Sequence, residues 1–113
     1  MEKRFPTYKA FWPHYVSEHQ NQVNRNLHFM GTSLAITCLL LAFASESAWW
    51  LLGMPICGYG FAWIGHFFVE KNRPATFTYP LWSLVGDFHM FGLMCLFRMD
   101  REVKRMRVLT TEA

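Results

Sequence analysis

Formal charge is missing from long stretches of this chain, and its absence decides most of what the sequence can be. Lys, Arg, Asp and Glu make up 17% of the 113 residues, nearly all in the first quarter, the Glu70–Arg73 turn and the last sixteen positions. Leu27 to Ala44 and Ala48 to Val69 carry none. A soluble helix spreads polar residues along one face, so clumping on this scale argues against an ordinary soluble domain and for a membrane. Cysteine is scarce and unpaired. Cys38, Cys57 and Cys95 lie inside apolar segments, and an odd count without close spacing argues against a disulfide framework and a zinc knuckle. They are expected to be small core residues in a reducing setting. A Gly-rich phosphate cradle, a serine nucleophile elbow and a nucleic-acid module are also missing. The N-terminus, MEKRFPTYKAFW, has no apolar core followed by small residues, so no cleavable leader is expected.

The residues that are present read as helices of one domain, 1–113. Tyr8, Phe11, Tyr15 and then Glu18 or His19 recur at helical spacing, with Pro6 and Pro13 suited to first-turn positions. This predicts a short surface helix with its aromatics at headgroup depth. Asn21 or Asn24 could cap the next helix. Leu27–Ala44 is about 27 Å long as a helix, near the minimum for a span. Ala48–Val69 is a second run of spanning length, opened by Trp49 and Trp50 and kinked by Gly53, Pro55 and Gly58. The link through Ser45-Glu46-Ser47 is so short that the two runs must form an antiparallel hairpin. Gly53, Gly58 and Gly60 hint at small-residue helix contacts.

A third apolar stretch, Leu81–Met99, is interrupted by Gly86-Asp87-Phe88-His89, an ionisable pair that is expensive in hydrocarbon. Positive charge orients the whole. Lys3, Arg4, Lys9 and Arg25 precede the first run, and Lys71 and Arg73 come after the second. Both termini are therefore expected on the cytoplasmic side of a cytoplasmic membrane. A crossing third stretch would carry Arg98, Arg101, Lys104, Arg105 and Arg107 outward, so it is expected not to cross. The expected fold is all-α: an integral membrane helical bundle built from a two-span hairpin, a surface N-terminal helix and a third, non-crossing helix. The basic tail abuts an apolar segment, so anionic lipid is its expected partner rather than nucleic acid.

The histidines are the chemistry-bearing residues. His28 opens the first span and His66 closes the second, so antiparallel packing sets both at one depth, with His19 just outside. Asn24 lies one turn before His28 on the same face. Three imidazoles near a carboxylate suit a metal ion; His19, His28 and His66 are the candidates, with Glu70, Asp87 and His89 as fourth ligands or supporting partners. His66 and Glu70 are also an i, i+4 pair. The plainer alternative is an interfacial histidine bonded to a backbone carbonyl and a first solvated charge. His14, beside Pro13, reads as an interfacial side chain and not a ligand.

Two pieces of sequence are more specific. His19, Asn24 and His28 form a His–x4–Asn–x3–His arrangement, and Gly65, His66, Glu70, Lys71, Pro74 and Ala75 form a Gly-His-x-x-x-Glu-Lys-x-x-Pro-Ala run. With YPLWSLVGDF further on, they resemble the short bacterial branch of the membrane family typified by the yeast 2-hydroxy fatty acid dioxygenase. The resemblance covers about Phe11 to Met90. It implies Fe(II)- and O2-dependent α-oxidation, in which a 2-hydroxy fatty acid becomes the fatty acid one carbon shorter. It also implies that His19, His28 and His66 are the family's metal histidines, with His89 standing where arginine or lysine is expected in relatives. Lys71 and Arg73, or Arg25, could hold the substrate carboxylate, or could serve topology and lipid headgroups instead. Glu70 could orient His66 or complete the shell. The rival functions are a zinc-dependent membrane hydrolase on the same histidines, and a non-catalytic lipid- or haem-binding membrane protein.

Overall fold

The computed structural model describes residues 5–112, with side chains placed through 109. Lys3 and Arg4, part of the topology argument, lie outside the described residues. The described chain is helical: α1 (Tyr8–Ser17), α2 (Gln22–Ser45), α3 (Trp50–Ile64), a single π turn (Gly65–Glu70), a 3₁₀ turn (Ala75–Phe77), α4 (Pro80–Cys95) and α5 (Met99–Glu112). They fall into two compact units, one being Asn21–Pro74 and the other the segments on either side of it.

The central unit is the hairpin. Asn21 starts α2, its side-chain oxygen accepting from the Val23 amide at 2.8 Å, as an N-cap should. At 24 residues α2 is about 36 Å long, and the 21 residues of Trp50–Glu70 also reach across an apolar core of about 30 Å. Only 22% and 17% of their apolar windows are buried within the protein. Leu40, Phe43, Trp49, Leu52 and Ile56 are all more than half exposed, a surface that suits lipid and not water. The two helices touch through small residues. A Cβ on Gly31 would sit 2.8 Å from the Cys57 carbonyl oxygen, and one on Gly53 would sit 2.7 Å from Cys38 Sγ. Gly58 and Gly60 face open space instead. Pro55 lies within α3 without ending it.

The flanking unit has its own core, formed by Phe11, Trp12, Tyr15, Val16, Ala75, Met90, Met99, Val103 and Met106. Here the sequence expectation needs adjusting. The α1 aromatics are packed against α4 and α5, with Phe11 and Tyr15 fully buried, because Phe11, Trp12 and Tyr15 share one helical stripe. Pro13 sits inside α1, while Pro80 is at the start of α4, its missing N–H harmless there. Cys95 is exposed, unlike Cys38. At 16 residues α4 is short for a span, and it meets α5 at a bend of 119°. Phe97 at that corner has φ 57 and is 93% exposed.

Candidate metal centre

His66 occupies the π turn that ends the second apolar helix, a local widening often found at functional sites. Two features hold the turn. At its start, Gly65 lets α2 approach: a Cβ there would fall on Asn24 Oδ1 and within 2.9 Å of Asn24 Cγ. At its end, Lys71 turns left-handed at φ 60, and the amides of Lys71 and Asn72 both donate to the His66 carbonyl, the latter at 2.8 Å. This folds Asn72 back beneath the imidazole. Its side-chain oxygen then lies 2.7 Å from His66 Nδ1. An amide oxygen only accepts, so Nδ1 carries the proton and Nε2 keeps its lone pair.

That lone pair faces a second imidazole. His28 Nε2 lies 3.2 Å from His66 Nε2, the rings edge to face at 88° with both side chains buried. A divalent first-row ion bound at about 2.1 Å from each nitrogen would see them at an angle of about 100°. That is the opening expected of neighbouring ligands in tetrahedral or octahedral sites. The pair is already spaced for a cation.

Asn24, one turn before His28, is completely buried. Neither Oδ1 nor Nδ2 has a hydrogen-bond partner among the described residues. Burying an amide in that state costs about 1–3 kcal/mol, a penalty natural proteins rarely carry without a use. Arg25, by contrast, is buried and donates to Gln22 Oε1 at 2.8 Å. Glu70 Oε1 accepts the Asn21 amide at 2.5 Å, fastening the start of α2 to the end of the π turn. Past the turn, an open cavity of about 470 Å³ is lined by Phe67, Phe68, Lys71, Asn72 and Arg73.

His19 belongs to the flanking unit and is 1% exposed. Its Nδ1 lies 2.6 Å from the Tyr15 carbonyl oxygen, an acceptor, which again leaves the lone pair on Nε2. Its ring stacks on that of Tyr15 at 4.0 Å. Asp87 accepts the Tyr15 hydroxyl at 2.5 Å, and His89 Nδ1 lies 2.9 Å from the Tyr8 hydroxyl while its ring stacks on Trp12. His14 is 3.5 Å from Glu18; burial lowers its pKa. Sequence reasoning passed over Asn72, whose placement depends on the left-handed Lys71 before it.

Among the described residues His19, His28 and His66, all buried, make a group that could hold a metal ion. Two helices are long and apolar enough to cross a membrane, in a chain whose histidine group could hold a metal ion. The description 2-hydroxy-palmitic acid dioxygenase Mpo1-like fits residues 5–99, and the chain belongs to that family. Neither curated proteins nor solved structures gave a match.

Proposed function

We propose that this protein is an Fe(II)-dependent dioxygenase that converts 2-hydroxy fatty acids to the fatty acid one carbon shorter. The observation that carries the reading is the facing pair of Nε2 atoms on His28 and His66, in a chain of a family described by that chemistry. His19 is the third ligand. Two peptide links separate it from Asn21, so their Cα atoms are at most about 7 Å apart, and Asn21 is bonded to Glu70 at the end of the His66 turn. Iron held by three histidines supplies open positions at which O2 and an α-hydroxy acid can be brought together.

The chain's own residues do the rest. Asn72 fixes the His66 ring and keeps its proton on Nδ1. Asn24 offers an amide to the substrate's hydroxyl or carboxylate from inside the apolar wall. Lys71 and Arg73 attract the carboxylate at the open cavity, where Phe67 and Phe68 receive the first methylenes. Glu70 keeps the start of α2, and so His28, in place. The acyl chain lies along the apolar helix surface, in membrane lipid. In this reading the chain works as one membrane-embedded domain, with both termini cytoplasmic and α4 not crossing.

Anaerobic purification in detergent, metal analysis and then addition of Fe(II), O2 and a long-chain 2-hydroxy acid tests the proposal. Bound iron and a product one carbon shorter, both lost in His66→Ala, are expected. Zinc without oxygen consumption would move the assignment to a hydrolase, and absence of any metal would overturn the site.

A further inference from the structure

Three oxidisable rings on α1 each hydrogen-bond through their N–H or hydroxyl group to a titratable side chain. Tyr15 donates its hydroxyl to Asp87 Oδ1 at 2.5 Å, and Trp12 donates Nε1–H to Glu102 Oε2 at 2.6 Å. The Tyr8 hydroxyl lies 2.9 Å from His89 Nδ1. The same rings form one column. His19 stacks on Tyr15 at 4.0 Å and 18°, Tyr15 on Trp12 at 5.4 Å and 12°, and Tyr8 comes next, 6.2 Å from Trp12. Positions 8, 12 and 15 make a single stripe on α1, and His19 follows just past its end. The stripe runs from a fully buried tyrosine to a partly exposed one.

Buried tyrosine and tryptophan usually find some hydrogen-bond partner. A purely structural need is met as well by a carbonyl or an amide. Here all three acceptors can take up a proton, and the column begins on a proposed metal ligand. To reach Asp87, Tyr15 lies flat across Gly86, where a Cβ would come within 2.8 Å of its ring.

We propose that the column Tyr15–Trp12–Tyr8 is an electron-donating escape path that protects the metal histidines when oxygen chemistry goes astray. The proposal rests on the reading of His19 as a ligand of an iron that reacts with O2. In the first step a one-electron oxidant arising at the metal takes an electron from Tyr15, and the phenol proton passes to Asp87, leaving a neutral phenoxyl and a carboxylic acid. Trp12 then returns an electron to the phenoxyl, which recovers its proton from Asp87, while the indole proton goes to Glu102. Tyr8 re-reduces Trp12 in the same way, the indole regaining its proton from Glu102 while the Tyr8 proton passes to His89. An external thiolate finally gives Tyr8 an electron, becoming a thiyl radical, while the Tyr8 oxygen regains its proton from His89.

Two arms test it on the full-length protein in detergent, comparing the wild type with Tyr15→Phe and Asp87→Asn after circular dichroism confirms folding. In the first, iron-loaded protein meets O2 without substrate, and peptide mass mapping locates the oxidation products. Products gathered on Trp12 and Tyr8 in the wild type are expected. In both variants they fall several-fold and oxidation of His19, His28 and His66 rises. In the second arm, metal-free protein is oxidised by photogenerated ruthenium(III) tris-bipyridine and read by electron paramagnetic resonance. A neutral tyrosyl signal lost in Tyr15→Phe is expected. An unchanged oxidation map or an unchanged radical signal in Tyr15→Phe overturns the path. If the wild type takes up no iron, the proposed function fails, and the second arm decides the path alone.

Discussion

Nε2 of His28 and Nε2 of His66 face each other across 3.2 Å, and the opposite nitrogen of His66 is held by Asn72 at 2.7 Å. One ring is thus oriented from behind while its free side meets a second ring. The first prediction concerns that support. Asn72→Ala should leave the hairpin folded yet weaken metal binding by about 10–100-fold, the usual effect of losing a partner behind a ligand. Titration with Fe(II) or Co(II) under anaerobic conditions measures it. Affinity equal to the wild type would show that the turn backbone alone orients His66.

A Cβ on Gly65 would fall in the volume that the Asn24 amide fills. Gly65→Ala should destabilise the protein by about 1–3 kcal/mol through overpacking, seen as a lower thermal midpoint in detergent. Asn24→Ala added to it should recover much of that loss, since the obstructing oxygen is gone. Additive effects in the double variant would contradict the contact.

Glu70 accepts a backbone amide, that of Asn21. Glu70→Gln retains an acceptor oxygen and should hold the start of α2 nearly as well. Glu70→Ala should cost about 0.5–2 kcal/mol, in the range of a lost helix cap. Equal losses in both variants would mean that the charge itself matters.

His14 gives a pH dependence. Burial lowers its folded pKa below the unfolded value of 6.5, so the unfolded chain binds the extra proton first. Stability from this group is complete above about 6.5 and declines as pH falls through the window beneath it. Phe5 and Phe11 lie against the ring and Glu18 stands beside it. Relative to His14→Gln, the wild-type thermal midpoint should therefore drop further between neutral and mildly acidic pH. Parallel curves for the two proteins would remove His14 from the account.

Metal itself should stabilise the fold. At a free concentration one hundred times its dissociation constant, a bound ion adds about 2.7 kcal/mol. A chelator should lower the midpoint of the wild type and leave His28→Ala unmoved.

Much of this was readable beforehand, for identifiable reasons. Charge-free runs from Leu27 and from Ala48 report directly on what surrounds them, so the hairpin could be inferred from composition. Its antiparallel geometry then brought His28 and His66 together without further information. The placement of Asn72 was not readable, because it depends on a left-handed Lys71 and a widened turn that leave no periodic trace. The inward packing of α1 was also hidden. Aromatics at helical spacing suit an interface and a core equally well, and only the partners on α4 and α5 decide between them.

The π turn at Gly65–Glu70 is, in effect, one extra residue accommodated in a helix. Everything after it is out of phase with everything before it. Wound as a regular α-helix instead, the same residues would carry everything that follows about 100° further around the axis. Glu70 would then leave Asn21, and Asn72 would leave His66, with no site residue altered. The centre is therefore encoded by a count as well as by identities, and a variant that keeps every candidate residue can still lose it.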